Sequence, residues 1–142
     1  MQEAIELAKR AASEDEVPVG AVVIYKGQVI GRGYNRREQN QDPLAHAEMM
    51  AIQEASLALK SWRLLECTLL VTLEPCPMCL AAAQQARVEQ VIYGTSDPKG
   101  GALSLGYRIH EDLRTNHRFK AMLIEEPACA HLLKEFFKKK RR

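Results

Sequence analysis

Between Val19 and Ile124 the chain alternates two hydrophobic periods, and that alternation limits the folds open to it. Val19–Tyr25 and Gln28–Tyr34 are strand-like runs rich in Val and Ile around a Lys26-Gly27 turn, which makes a hairpin. Thr68–Leu73 is short and mostly apolar, as expected of a strand buried on both faces. Val88–Gly94 reads as a further strand and Phe119–Ile124 as a weaker one. The segments around and between them have helical spacing instead. Ala4, Ile5, Ala8, Ala11 and Ala12 line one face of a helix ending near Glu14; Met49, Ile52, Ala55 and Leu59 do the same within Ala45–Leu59. Pro77–Arg87 is a helix with proline tolerated in its first turn, and Pro127–Phe137 is the last helix. Asn35–Pro43 is polar and contains an Asp-Pro step, so it reads as a loop.

Helices alternating with strands predict an α/β fold, a three-layer α/β/α sandwich. The 24 residues Thr95–Arg118 separate the last two strands and include a short helical segment. That connection is too long for a tight hairpin and long enough for a crossover, so the last two strands are predicted to be parallel.

No repeat or linker interrupts the 142 residues, which read as one domain over 1–142. A composition of 46% hydrophobic and 27% charged residues excludes collagen-like, low-complexity and globally disordered chains. A chain this long buries roughly 68–70% of its unfolded surface, enough for a core without disulfide staples. There is no run of 18 apolar residues, so no membrane helix is expected. Met1-Gln2-Glu3-Ala4 lacks the pattern of a secretory signal, which makes the cytoplasm the expected compartment. In that compartment four cysteines read as reduced thiols, metal ligands or a redox pair.

The net charge of +2 hides where the charge lies. Lys134–Arg142 holds six cations and one anion, Glu135, leaving the rest of the chain mildly acidic. The basic tail, Lys138 to Arg142, reads either as a solvated terminus or as a phosphate-facing segment.

Chemistry concentrates at two helix starts. His46-Ala47-Glu48 opens one helix and Pro75-Cys76-Pro77-Met78-Cys79 opens the next. Three-residue spacing puts both sulfurs on one side of a helical turn, where the helix dipole favours thiolates. With His46 they make a His/Cys/Cys set, which leaves a tetrahedral zinc one open position. Glu48 is placed beside such a metal rather than on it, where a carboxylate can pass protons. Each piece also has a plainer reading: a packed histidine, a thioredoxin-like redox pair, or a closed structural site with Cys67 or Cys129 as fourth ligand. Cys67 and Cys129 read better as small buried residues.

His-x-Glu with Pro-Cys-x-x-Cys is the signature of zinc-dependent nucleobase deaminases. The runs Glu16-Val-Pro-Val-Gly-Ala-Val, Asp42-Pro43, Trp62-Arg-Leu and Thr72-Leu-Glu-Pro-Cys extend it. So do Gly94, Asp97, Lys99, Ser104-Leu105, Asn116-His-Arg and Phe136-Phe137. Over nearly its whole length the chain resembles the bacterial tRNA adenosine deaminases.

The resemblance implies a cytidine-deaminase-like fold on a mixed five-stranded sheet, with one Zn2+ per chain. It also implies hydrolytic deamination of the wobble adenosine of a tRNA anticodon loop, in an arginine tRNA, to inosine. His46, Cys76 and Cys79 would bind zinc. Zinc-activated water would attack C6 of adenine while Glu48 protonates N1 and then the departing amine. Asn35 would hydrogen-bond the flipped base, although a loop-capping role suits it equally. Asp97, Lys99, Asn116, His117 and Arg118 would surround the anticodon loop; Asp97-Pro98 also reads as an ordinary turn. Phe136 and Phe137 fit core packing or base stacking, and a homodimer is implied.

Leu44, Pro77 with Leu80, Ala102-Leu103 and Gly106-Tyr107 depart from the family pattern. They leave the zinc set alone and bear on substrate choice, since Pro-Cys-Pro-Met-Cys-Leu also occurs in guanine deaminases. The alternatives are therefore a free-base or nucleoside deaminase and a non-enzymatic zinc or RNA-binding module.

Overall fold

A computed structural model of the chain describes residues 1–141, and Arg142, the last residue of the basic tail, lies outside the described residues. Strand β1 (Gly20–Tyr25) shows how the sequence builds the layers. Its side chains alternate between faces. Ala21 and Val23 join one apolar cluster, and Val22 and Ile24 join another on the opposite side.

Strand β2 (Gln28–Tyr34) pairs antiparallel with β1. The turn between them uses Lys26 at φ 50° and Gly27 at φ 77°, the two positive angles a type I′ hairpin turn requires. Strand β3 (Cys67–Val71) pairs antiparallel with the other edge of β1. Strands β4 (Gln90–Tyr93) and β5 (Lys120–Leu123) follow in parallel, giving the order β2-β1-β3-β4-β5. The expected parallel pairing of the last two strands is present, with Val91 opposite Ala121.

Helices cover both faces. Helix α1 (Gln2–Ser13) places Ala4 on the Val22–Leu70 face and touches α5 (Pro127–Lys140). Helices α3 (Ala47–Leu59) and α4 (Pro77–Gln85) cover the larger face, where Ala47, Ala51, Leu80 and Ala83 pack on Ala21, Val23, Leu69 and Val71. Glycines let α3 lie directly on the sheet: a Cβ on Gly31 would overlap the Ala51 carbonyl, and one on Gly33 the Ala47 carbonyl. The expected short helical segment between β4 and β5 is a 3-10 turn, Ile109–Glu111.

Some boundaries differ from expectation. A short helix, α2 (Arg37–Asn40), stands in the segment read as a loop. Helix α3 begins at Ala47 with His46 as its N-cap, and β3 starts at Cys67 and ends at Val71. Helix α5 continues past Phe137 to Lys140, so part of the basic tail is helical. Lysines in a last helical turn interact favourably with the helix dipole.

Candidate metal centre and active site

The N-termini of α3 and α4 meet at one end of the sheet. His46 and Cys76 are the N-caps of these helices, both extended in backbone, and neither side chain caps its own helix. Both are thus free to face each other, and Pro77 at the first helical position fixes the entry of α4. His46 Nδ1 lies 3.7 Å from Cys76 Sγ and 3.5 Å from Cys79 Sγ. All three donor atoms lie within 4.8 Å of one another.

Zinc–sulfur bonds near 2.3 Å and zinc–nitrogen bonds near 2.0–2.1 Å at tetrahedral angles put N and S about 3.6 Å apart. The observed spacings match. Two thiols and an imidazole are the donors zinc takes, and three protein ligands leave the fourth position open. Cys67 and Cys129 do not join the group; both are buried, Cys67 at the start of β3 and Cys129 in α5.

The three donors are linked through their protons. The Cys79 thiol, donating to Cys76, brings Cys76 down to about 4, in spite of its partial burial. Cys79 is pushed far up, first by that hydrogen bond and then by burial, while the hydrogen bond to Cys76 raises His46. Glu48, only 4% exposed, is pushed up to about 7 by burial. A carboxyl that titrates near neutrality can both take and return a proton.

His46, Glu48 and Cys76 line a cavity of about 280 Å3. Val17, Val19 and Leu73 give it apolar walls, and Asn35, Arg37, Glu48 and Asp97 supply polar groups. A mostly apolar pocket with a few placed polar groups suits a single flat ring system.

The structure brings only some of the expected contact residues to this cavity. Asn35 lines it, with its amide nitrogen donating to the Val17 carbonyl (3.3 Å) and its oxygen accepting from the Arg37 amide (3.2 Å). Asp97 also lines it, and its carboxylate makes a turn by accepting from the amides of Lys99 (3.2 Å) and Gly100 (3.1 Å). Both therefore have the local role that the sequence left open beside substrate binding.

Lys99, Asn116, His117 and Arg118 are not in the cavity lining. Lys99 is exposed. Asn116 and His117 border a separate depression with Gln84 and Arg114, and His117 bonds through Nε2 to the Val88 carbonyl at 2.6 Å. The Arg118 guanidinium donates to the Thr115 carbonyl at 2.9 Å. Phe136 and Phe137 border a groove of about 650 Å3 that shares Val17, Asn35 and Arg37 with the cavity.

Two buried carboxylates shape the cavity, and sequence reasoning noted them only as members of longer runs. Glu16, 1% exposed, accepts from the amides of Glu38 (3.1 Å) and Gln39 (2.8 Å) and so holds α2 beside Asn35 and Arg37. Glu74, 3% exposed, holds the segment after β4. For Glu74 the available signal was an acidic residue at the end of a largely apolar run, because glutamate is seldom fully buried unless it is paired; Glu16, which follows Glu14 and Asp15, carried no such signal.

The MafB19-like deaminase family matches residues 1–141. The tRNA-specific adenosine deaminase of Bacillus subtilis (strain 168) is 45% identical over 143 residues, covering 100% of this chain and 89% of its own. The enzyme of that name from Streptococcus pyogenes serotype M1 is 43% identical, over 99% of this chain and 83% of its own. A structure solved in a study of A-to-I editing by tRNA:A34 deaminases at the wobble position of transfer RNA superposes with a TM-score of 0.87. It is 41% identical and covers 94% of this chain and 97% of its own. A guanine deaminase structure from Bacillus subtilis superposes with a TM-score of 0.65 at 28% identity, over 99% of this chain and 91% of its own. The fold is cytidine-deaminase-like, and the chain belongs to the MafB19-like deaminases and, among them, to the tRNA-specific adenosine deaminase family.

Proposed function

We propose that the chain hydrolyses the wobble adenosine of a tRNA anticodon loop to inosine, releasing ammonia. The observation that carries this reading is a buried carboxyl, Glu48, beside three converging metal donors in a base-sized cavity. Full-length similarity to tRNA-specific adenosine deaminases supplies the substrate class.

His46, Cys76 and Cys79 would hold the zinc. When bound, it supplies the Lewis acidity that makes water nucleophilic at neutral pH. Glu48 takes one proton from the attacking water and delivers it to N1 of adenine; it then takes the remaining proton from the new C6 hydroxyl and gives it to the amine, so that the C6–N bond breaks, ammonia leaves and the C6 carbonyl of inosine forms. Val17, Val19 and Leu73 enclose the flipped base and exclude bulk water, and Asn35 orients it.

A polynucleotide substrate also accounts for features outside the cavity. The groove beside Phe136 and Phe137 shares residues with it; Lys140 in its lining pairs with Asp15 at 2.6 Å, and Lys138 and Lys139 add positive charge at the same end of α5. Cations there attract phosphates in a salt-dependent way. Lys99, Asn116, His117 and Arg118 meet the anticodon loop away from the flipped base, in this reading. The substrate is an arginine tRNA, and the enzyme acts in the cytoplasm as a homodimer. No helix among the described residues is long and apolar enough to cross a membrane.

A second reading, deamination of free guanine, is favoured by the Pro77 and Leu80 variant of the motif and by the guanine deaminase likeness. A short anticodon stem-loop RNA with adenosine at the wobble position separates the two. The proposal expects inosine in that RNA; unchanged RNA with ammonia released from guanine supports the second reading.

A further inference from the structure

We propose that Glu74 is a positioning residue for substrate selection, fastening the Asp97–Leu105 segment to the entry of α4 and so setting one wall of the base cavity. This rests on the function proposed above. Glu74 stands in the connection from β3 to α4, two residues before the ligand Cys76. One carboxylate oxygen accepts from the Asp97 amide at 3.1 Å and the Ser104 hydroxyl at 2.6 Å, and the other accepts from the Ser104 amide at 2.8 Å. No Lys, Arg or His pairs with it among the described residues, so the buried charge is satisfied by this segment's own donors.

Backbone bonds run alongside. The Glu74 amide donates to the Thr95 carbonyl at 2.8 Å, and the Ala102 amide donates to the Pro75 carbonyl at 2.8 Å. Gly101 permits the close approach, because a Cβ there would overlap the Glu74 carboxylate. The segment has no regular helix or strand of its own, so these bonds determine its placement. Asp97 and Gly100, both within it, line the cavity together with Glu74 itself. The metal-ligand entry and the cavity wall therefore form one body joined through Glu74.

The role needs two acceptor oxygens. Glutamine is isosteric, but its NH2 faces one of these donors, and at least one bond is lost. A wall that holds the base equally in ground state and transition state changes KM more than kcat when it loosens.

The test compares the zinc-loaded wild-type enzyme with Glu74→Gln and Ser104→Ala on the anticodon stem-loop, together with metal content and amide hydrogen exchange. For Glu74→Gln the expected result is unchanged zinc, faster exchange at Ser104, KM raised about tenfold and kcat within about threefold. Ser104→Ala, at an exposed residue, moves KM in the same direction by less, and it decides the matter if Glu74→Gln does not fold. Wild-type KM and exchange in a folded variant overturn the proposal, as does a loss of kcat with KM unchanged. If wild-type enzyme converts guanine and leaves the stem-loop intact, the functional reading falls, and the same KM comparison on guanine decides the role of Glu74.

Discussion

Gly33 of β2 lies directly against the backbone carbonyl of Ala47, the first residue of the helix that carries Glu48 and is capped by His46. The absence of a side chain at this point sets the height of α3 above the sheet. Gly33→Ala is overpacking and should cost about 1–3 kcal/mol, lowering the melting midpoint by roughly 3–12 °C. It also tilts Glu48 and His46 away from Cys76 and Cys79. Calorimetry and steady-state kinetics check this, with kcat/KM expected to fall further than the stability loss alone explains.

Glu48→Ala should retain the metal and lose deamination. The carboxyl is not among the three converging donors, so zinc stoichiometry stays at the wild-type value. General acid–base groups contribute roughly 10²–10⁴-fold, and a loss of that size in kcat is expected. Elemental analysis beside a single-turnover assay gives both numbers on one sample.

The sequence carried the sheet and the metal ligands because both rest on local pattern. Periodicity placed all five strands within two residues, and the length of the Thr95–Arg118 connection was enough to make β4 and β5 parallel. Helix α2 was not legible, because its amides are capped by Glu16 from 22 residues away in sequence. The stacking of the His117 ring on Phe119 and its Nε2 bond to the Val88 carbonyl are likewise contacts that no spacing shows. Glu74 was hidden for the same reason, since its partners Asp97 and Ser104 lie 23 and 30 residues on.

Acid should destabilise the fold through His110. The residue is 2% exposed, its Nδ1 has no partner among the described residues, and its ring packs on Phe119. Burial holds its pKa below the usual 6.5, against a smaller opposing pull from Glu111. Below about pH 6.5 the unfolded chain takes up a proton that the folded chain resists. The contribution is therefore complete above that pH and is lost as the pH falls through the folded value. Melting midpoints between pH 5 and 8 should show a smaller acid-side drop for His110→Leu than for wild type; parallel curves would remove His110 as the cause.

Removing the metal should abolish turnover without unfolding the chain. The donors sit at two helix starts, whereas the large apolar cluster across α3, α4 and the sheet needs no ion. After chelation, far-UV circular dichroism should stay native-like while activity disappears, and added zinc should restore it. A chain that unfolds on chelation would make the site structural instead.

In the proposed reading the substrate is a polynucleotide adenosine rather than a free base. The most direct measurement incubates the zinc-loaded protein with an arginine tRNA carrying adenosine at the wobble position, alongside free guanine and cytosine. Inosine at that position, with both free bases intact, is the expected result. Ammonia from guanine or cytosine, with the tRNA still carrying adenosine, would contradict it.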